Sequence, residues 1–202
     1  MKLKDCAFTV FDFETTGLYP YTGDRICEVA CVRGHPSKRG VRKFHSLVNP
    51  GRPISYGAFA VNGITDDMVK DSPLIEEVLP RFLDFIKGSV LVAYNAGFDL
   101  GFLDAALGSR SAALKDYYVI DALALARRTI PGIGRYNLGN VSRSLGIDSE
   151  GEHRALADAL MTWKVFKKEL AILDKEGVTT VKEVAYVRGA PKERPPALKV
   201  KD

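Results

Sequence analysis

The pattern of apolar and polar positions changes period part-way along the chain. Residues 7–13, 25–33 and 41–48 are three short runs rich in β-branched and aromatic side chains. The first ends at Thr15-Thr-Gly17 and the third is stopped by Asn49-Pro-Gly51. Only a short link, residues 34–40, joins the second run to the third, which suits antiparallel neighbours. The chain is therefore expected to open as a three-stranded meander. Helical spacing then takes over, with Leu74, Val78, Leu79, Phe82, Leu83, Phe85 and Ile86 on one stripe. A continuous apolar run at 90–94 reads as a strand covered on both faces. Further elements follow: a helix at about 98–107, a fifth strand at 117–120, and helices at 122–129, 137–145 and 155–173. The order βββ-α-βα-βα-α predicts an α/β fold with one mixed five-stranded sheet flanked by helices. Residues 1–177 are expected to form one domain. Residues 178–202 are expected to add a short helix, begun by a Thr180/Glu183 capping box, and from Arg188 a Pro-rich, basic tail.

Composition adds exclusions more than a function. With 202 residues, 46% hydrophobic and 27% charged, the chain suits a single domain with a real core. No apolar run approaches the ~20 residues that span a bilayer. No signal peptide is apparent after the basic start, so a cytoplasmic setting is expected. The net charge of +4 permits a nucleic-acid partner without arguing for one. Basic residues are spread: Arg33, Lys38, Arg39, Arg42 and Lys43 near the meander turn, and Arg127, Arg128, Arg135 and Arg143 later. Three cysteines, Cys6, Cys27 and Cys31, suit a reducing compartment. Cys27, Val29 and Cys31 fall on one face of a strand and read as small core residues rather than metal ligands.

Chemistry enters through the placement of a few acids. Asp12 and Glu14 lie two apart in a strand, so their side chains share a face at its C-terminal end, where α/β sheets tend to place their sites. Two carboxylates inside an otherwise aromatic strand repel each other and lose hydration, and a bound divalent cation relieves both costs. Asp99 falls in the first turn of the helix after the fourth strand. Asp158 lies about 60° beyond the edge of the apolar arc of the last helix. His153 precedes that helix. Singly, each has an ordinary explanation: acids end strands, favour helix N-termini through the dipole, and histidines are common on exposed loops.

Together, Asp12-Phe-Glu14-Thr-Thr-Gly17, Asn95-Ala-Gly-Phe-Asp99 and His153-Arg-Ala-Leu-Ala-Asp158 resemble the three exonuclease motifs of the DnaQ-like, DEDDh-type 3′→5′ exonucleases. That group contains the proofreading epsilon subunit of bacterial DNA polymerase III. The segments 61–65, 121–127 and 136–146 resemble the family's intervening stretches, so the likeness covers about residues 6–173. One departure is Tyr94, where the family often has His.

The resemblance implies a ribonuclease-H-like fold and hydrolysis assisted by two divalent cations, Mg2+ or Mn2+, which suit hard oxygen ligands. It implies that Asp12 bridges both metals, that Glu14 and Asp158 complete the nucleophile-side site, that Asp99 serves the second, and that His153 takes the proton from the attacking water. A histidine suits that work because its unperturbed pKa lies near neutrality. For the substrate it implies contacts from Thr15, Gly17, Leu18, Ile64, Asn95 and Phe98. The function expected is exonucleolytic release of nucleoside 5′-monophosphates from the 3′ end of DNA in proofreading or repair. The partners expected are a single-stranded or frayed 3′ end and a DNA polymerase, with no membrane. Trimming of RNA or short oligoribonucleotides is the alternative. A non-catalytic docking module is a third reading, against which the intact acids and His153 count. No Gln-rich linker or clamp-binding pentapeptide is visible after residue 173, which favours a self-standing enzyme.

Overall fold

A computed structural model describes residues 1–148 and 153–188. Its sheet has six strands in the order β3-β2-β1-β4-β5-β6. The strands β1 (Phe8–Thr15), β2 (Ile26–Gly34) and β3 (Val41–Leu47) form the expected meander. The strands β4 (Val90–Ala93) and β5 (Tyr118–Asp121) run parallel to β1. The sixth strand, β6 (Tyr186–Val187), pairs antiparallel with β5, which corrects the five-stranded expectation. Two residues are too few for any periodicity to show.

Seven α-helices are described: α1 (Tyr56–Asn62), α2 (Asp66–Val69), α3 (Ile75–Ile86), α4 (Ala96–Leu107), α5 (Ala122–Thr129), α6 (Leu138–Ser144) and α7 (Ala155–Lys175). Strand alternation sorts β1 between two apolar layers. Phe11 and Phe13 pack with Val78, Phe82, Phe102 and Leu103 of α3 and α4. Phe8 and Val10 pack with Ala155, Ala159, Trp163 and Phe166 of α7 on the opposite face. Gly34 at the end of β2 lets α7 approach closely, since a Cβ there would lie 2.4 Å from the Trp163 ring. Asp12 and Glu14 continue the Phe8–Val10 face, so they emerge beneath the start of α7.

The helices α1 and α2 have no counterpart in the periodicity. Each is under eight residues, and α1 leaves Phe59 and Val61 exposed, so it carries no core-facing stripe. Caps define both: Ser55 and Thr65 accept N–H bonds from Ala58 and Met68, and Gly63 ends α1 in the left-handed region. The basic residues of the meander turn are partly structural. Arg33 donates to the carbonyls of Phe85 and Lys87 at the end of α3, and Arg42 lies over the Phe85 ring. All three cysteines are buried and free.

After α7 the chain returns to its own beginning. Leu3 N–H donates to Thr179 O at 2.8 Å and Val181 N–H to Met1 O at 3.0 Å. The Thr180/Glu183 capping box is present, and Val178 and Val181 are buried in the α7-side core. Arg188, read from sequence as the start of a tail, still belongs to the fold. Its N–H donates to Tyr117 O and its guanidinium pairs with Asp104. The rest of that expected tail, residues 189–202, lies outside the described residues.

Candidate active site

Three of the four acids meet. Asp12, Glu14 and Asp158 each offer a carboxylate oxygen, and these oxygens all lie within 4.8 Å of one another. Two come from the end of β1 and the third from the first turn of α7. Asp99 reaches the same strand from the opposite layer. The β1–β4 ladder ends at Val10–Val92, so the Phe13 N–H projects beyond the end of β4, and Asp99 Oδ1 accepts it at 3.0 Å. Asp99 is thereby fixed, buried, beside Asp12.

The electrostatics are those of like charges crowded together and partly buried. Burial, then the repulsion of Asp99, Glu14 and Asp158, pushes the Asp12 carboxyl well above the usual carboxylate range. Burial and the charges of Asp158 and Glu28 push Glu14 up to about 7, against the opposing effects of Asn62 and Arg154. Burial also raises Asp99, although the Phe13 N–H bond works the other way. A hard divalent cation fits this donor set, because all the donors are oxygens and their ionised forms are destabilised without one.

The histidine of the third motif stands at the edge of the cluster. His153 is exposed, and its N–H donates to Asp158 Oδ2 at 3.2 Å. It has φ +68°, and Asn95 has φ +65°. Among the described residues these are the two non-glycine residues in the left-handed region, and both lie in the motifs. Such conformations are uncommon and persist where surroundings over-determine them.

A cavity of about 500 Å³ opens beside Glu14, lined among others by Leu18, Tyr19, Val61, Asn62 and Phe98. Thr15 and Gly17 line it too. Leu18 is 67% exposed, so an apolar side chain stands free at the rim. Gly17 has a structural demand of its own, since a Cβ there would lie 2.3 Å from the Asp24 carboxylate. That carboxylate accepts from the Thr16 hydroxyl and the Tyr19 N–H and shapes the loop after β1. Asn95, exposed before α4, does not line the cavity.

Ile64 requires correction. Its side chain is fully buried with Cys27 and Val69 in a small cluster of its own, so it is core rather than a wedge at the substrate. Gly63-Ile-Thr65 links α1 to α2, with Gly63 closing the first helix and Thr65 capping the second, and Ile64 is buried between them. Tyr94, the departure from the family pattern, donates its hydroxyl to Tyr136 O at 2.7 Å and ties β4 to the segment before α6.

Sequence reasoning missed three residues at this site. Asn62 is buried, donates to Thr15 O at 3.3 Å and favours the ionised form of Glu14. Glu28 and Arg154 form an ion pair at 2.8 Å. Glu28 carried a readable signal, a lone carboxylate inside the apolar run of β2.

The comparisons with known proteins bear on this geometry. Residues 9–166 match the RNase_T family, described as exonuclease. The chain belongs to the RNase_T exonuclease family. It is 40% identical over 180 residues to a PolC-type DNA polymerase III of Caldanaerobacter subterraneus subsp. tengcongensis, covering 89% of this chain and 13% of that protein. It is also 40% identical to a DNA polymerase III subunit epsilon-like protein of Rhodobacter capsulatus, covering 88% of this chain and 26% of the relative. The chain therefore spans a small part of these relatives. Among solved structures, exonuclease X in complex with 5′ overhanging duplex DNA matches at TM-score 0.69 and 31% identity, over 90% of this chain and 99% of that one. The nuclease domain of 3′hExo, a DEDDh family member bound to rAMP, matches at TM-score 0.69 and 19% identity, over 85% and 93% of the two chains. The resemblance to DEDDh exonucleases holds, and the mixed sheet flanked by helices is the ribonuclease-H-like layout. Among the described residues no helix is long and apolar enough to cross a membrane.

Proposed function

We propose that this domain is a metal-dependent 3′→5′ exonuclease that hydrolyses phosphodiester bonds at the 3′ end of DNA and releases nucleoside 5′-monophosphates. The observation that carries the reading is the meeting of Asp12, Glu14 and Asp158 oxygens within 4.8 Å, with Glu14 also lining an adjoining cavity. A cluster of this kind, with burial and repulsion raising its members, is costly in a protein that never binds a cation.

Asp12, Glu14 and Asp158 would hold the metal, with Asp99 serving a second ion from its anchored position. When bound, two Mg2+ or Mn2+ ions would neutralise the scissile phosphate and favour ionisation of water. Leu18 and Phe98 would contact the terminal base and sugar at the cavity, while the backbone of Thr15 and Gly17 follows the acids closely enough to meet the terminal nucleotide. Asn95 would reach the phosphates from the start of α4. His153 would accept the proton of the attacking water, being exposed beside Asp158. A role in proofreading or repair, a DNA polymerase partner and a cytoplasmic setting belong to the same proposal. Their support is the names carried by the polymerase III relatives.

The test uses 5′-labelled single-stranded DNA and matching RNA with Mg2+, Mn2+ or chelator. Stepwise mononucleotide release from the 3′ end of DNA, abolished by chelator, is expected. Faster trimming of RNA would move the substrate to the oligoribonucleotide reading. Binding without cleavage under every metal condition would make the domain a docking module. His153→Ala is expected to lower turnover by about 10²-fold or more, with much less effect on DNA binding.

A further inference from the structure

The α7 helix begins without a cap of its own. Arg154 stands at its N-cap position and supplies no side-chain cap bond. The partner comes instead from β2, 127 residues away in sequence, where Glu28 Oε2 accepts the Ala155 N–H at 3.0 Å. The same carboxylate takes the Arg154 guanidinium on both oxygens, with Nη2 to Oε1 at 2.8 Å and Nε at 3.2 Å and 3.3 Å. His45 Nε2 meets Oε1 at 2.7 Å. Glu28 is 1% exposed and sits directly across from Glu14 in the β1–β2 register. With these partners engaging both of its oxygens, it stands as an anchor beside the acid cluster rather than as a fourth member of it.

We infer that Glu28 is a positioning residue that sets the start of the third motif, and with it His153, relative to the acids on β1. The left-handed conformation of His153 needs anchors on both sides to persist. One is its own N–H on Asp158. The other is the next residue, Arg154, whose planar fork fixes direction as well as distance on a carboxylate. A local Ser or Asp cap would satisfy the helix equally well. Only an anchor on β2 also ties the helix start to the strand that pairs with Glu14. The inference rests on the exonuclease reading for its kinetic consequence and on geometry alone for its structural one.

The experiment compares the wild type with Glu28→Gln, Arg154→Lys and the double variant. It measures kcat and KM separately on single-stranded DNA with Mn2+, thermal midpoint with chelator, and the NMR shift and hydrogen exchange of the His153 amide. Misplacement of a catalytic group by about 1 Å can cost on the order of 10²-fold. The expected result is therefore a kcat loss of about 10- to 100-fold with KM changed by less than about three-fold. A moved and faster-exchanging His153 amide should accompany it. The double variant should be no worse than the weaker single, because both break one linkage. The Arg154 side chain is 42% exposed, so Arg154→Lys should fold even where Glu28→Gln does not. Singles that keep kcat within about two-fold of wild type, or an unmoved His153 amide, would overturn the inference. If the wild type itself releases no nucleotide with any metal, the functional reading fails. The amide signal then still decides the positioning role, a shift supporting it and no change refuting it.

Discussion

The acid cluster should make the metal-free protein less stable than a variant with one acid neutralised, and Glu14→Gln measures by how much. Glu14 stands at about 7 in the fold, against an ordinary value of 4.5. At about 1.4 kcal/mol per pH unit, its ionisation is roughly 3 kcal/mol less favourable in the folded chain than in the unfolded one. Below pH 4.5 the group is protonated in both states and costs nothing. Between 4.5 and 7 the unfolded chain has released its proton while the folded chain keeps it, so stability falls as pH rises, and above 7 the whole penalty is present. Glutamine has no proton to lose. With chelator present, Glu14→Gln should therefore equal the wild type near pH 4 and exceed it at pH 8. The gain should be about 1–3 kcal/mol, or about 2–10 °C in thermal midpoint for a chain of this size. Added Mn2+ should narrow the gap, because the wild type gains more from the cation than the variant does. The assay is thermal unfolding followed by circular dichroism, with chelator or Mn2+ at each pH. Equal midpoints at pH 8, or a gain of the same size at pH 4, would refute the reasoning, because neither can arise from a carboxylate held protonated in the fold.

Ile64→Ala, which opens a space in a fully buried cluster, should cost about 2–5 kcal/mol of stability while leaving KM for DNA unchanged in whatever remains folded; urea unfolding and kinetics at low temperature separate the two. Gly17→Ala places a methyl on the Asp24 carboxylate and should lower stability by about 1–3 kcal/mol, read as a lower urea midpoint. Leu18→Ala, at an exposed position, should leave the thermal midpoint within about 2 °C and raise KM for single-stranded DNA by roughly 5- to 100-fold if a terminal base packs on it.

Much of the sheet was legible because its strands are long enough to show their pattern. The run from Phe8 to Phe13 alternates between two cores, and that alternation is also what placed Asp12 and Glu14 together. Asp158 was readable from its angle on a long amphipathic helix. What escaped had one of two causes. Short elements, such as α1, α2 and β6, are defined by caps and by pairing with distant chain, and neither leaves a periodic trace. Ile64 and Glu28 were misread or passed over for a different reason. Their surroundings are assembled from segments far apart in sequence, so an apolar residue in a turn proves to be core, and an acid in a strand proves to hold a helix. The DEDDh likeness singled out four acids, but it could not say which of them share oxygens within reach and which one, Asp99, is anchored by a backbone N–H.

The hydrogen bonds that join Met1 and Leu3 to Thr179 and Val181 bring the stretch before β1 alongside the stretch that follows α7. Leu3, Val178 and Val181 share one buried cluster, so loosening the stretch before β1 also strips cover from the stretch after α7, and the two should open as one unit.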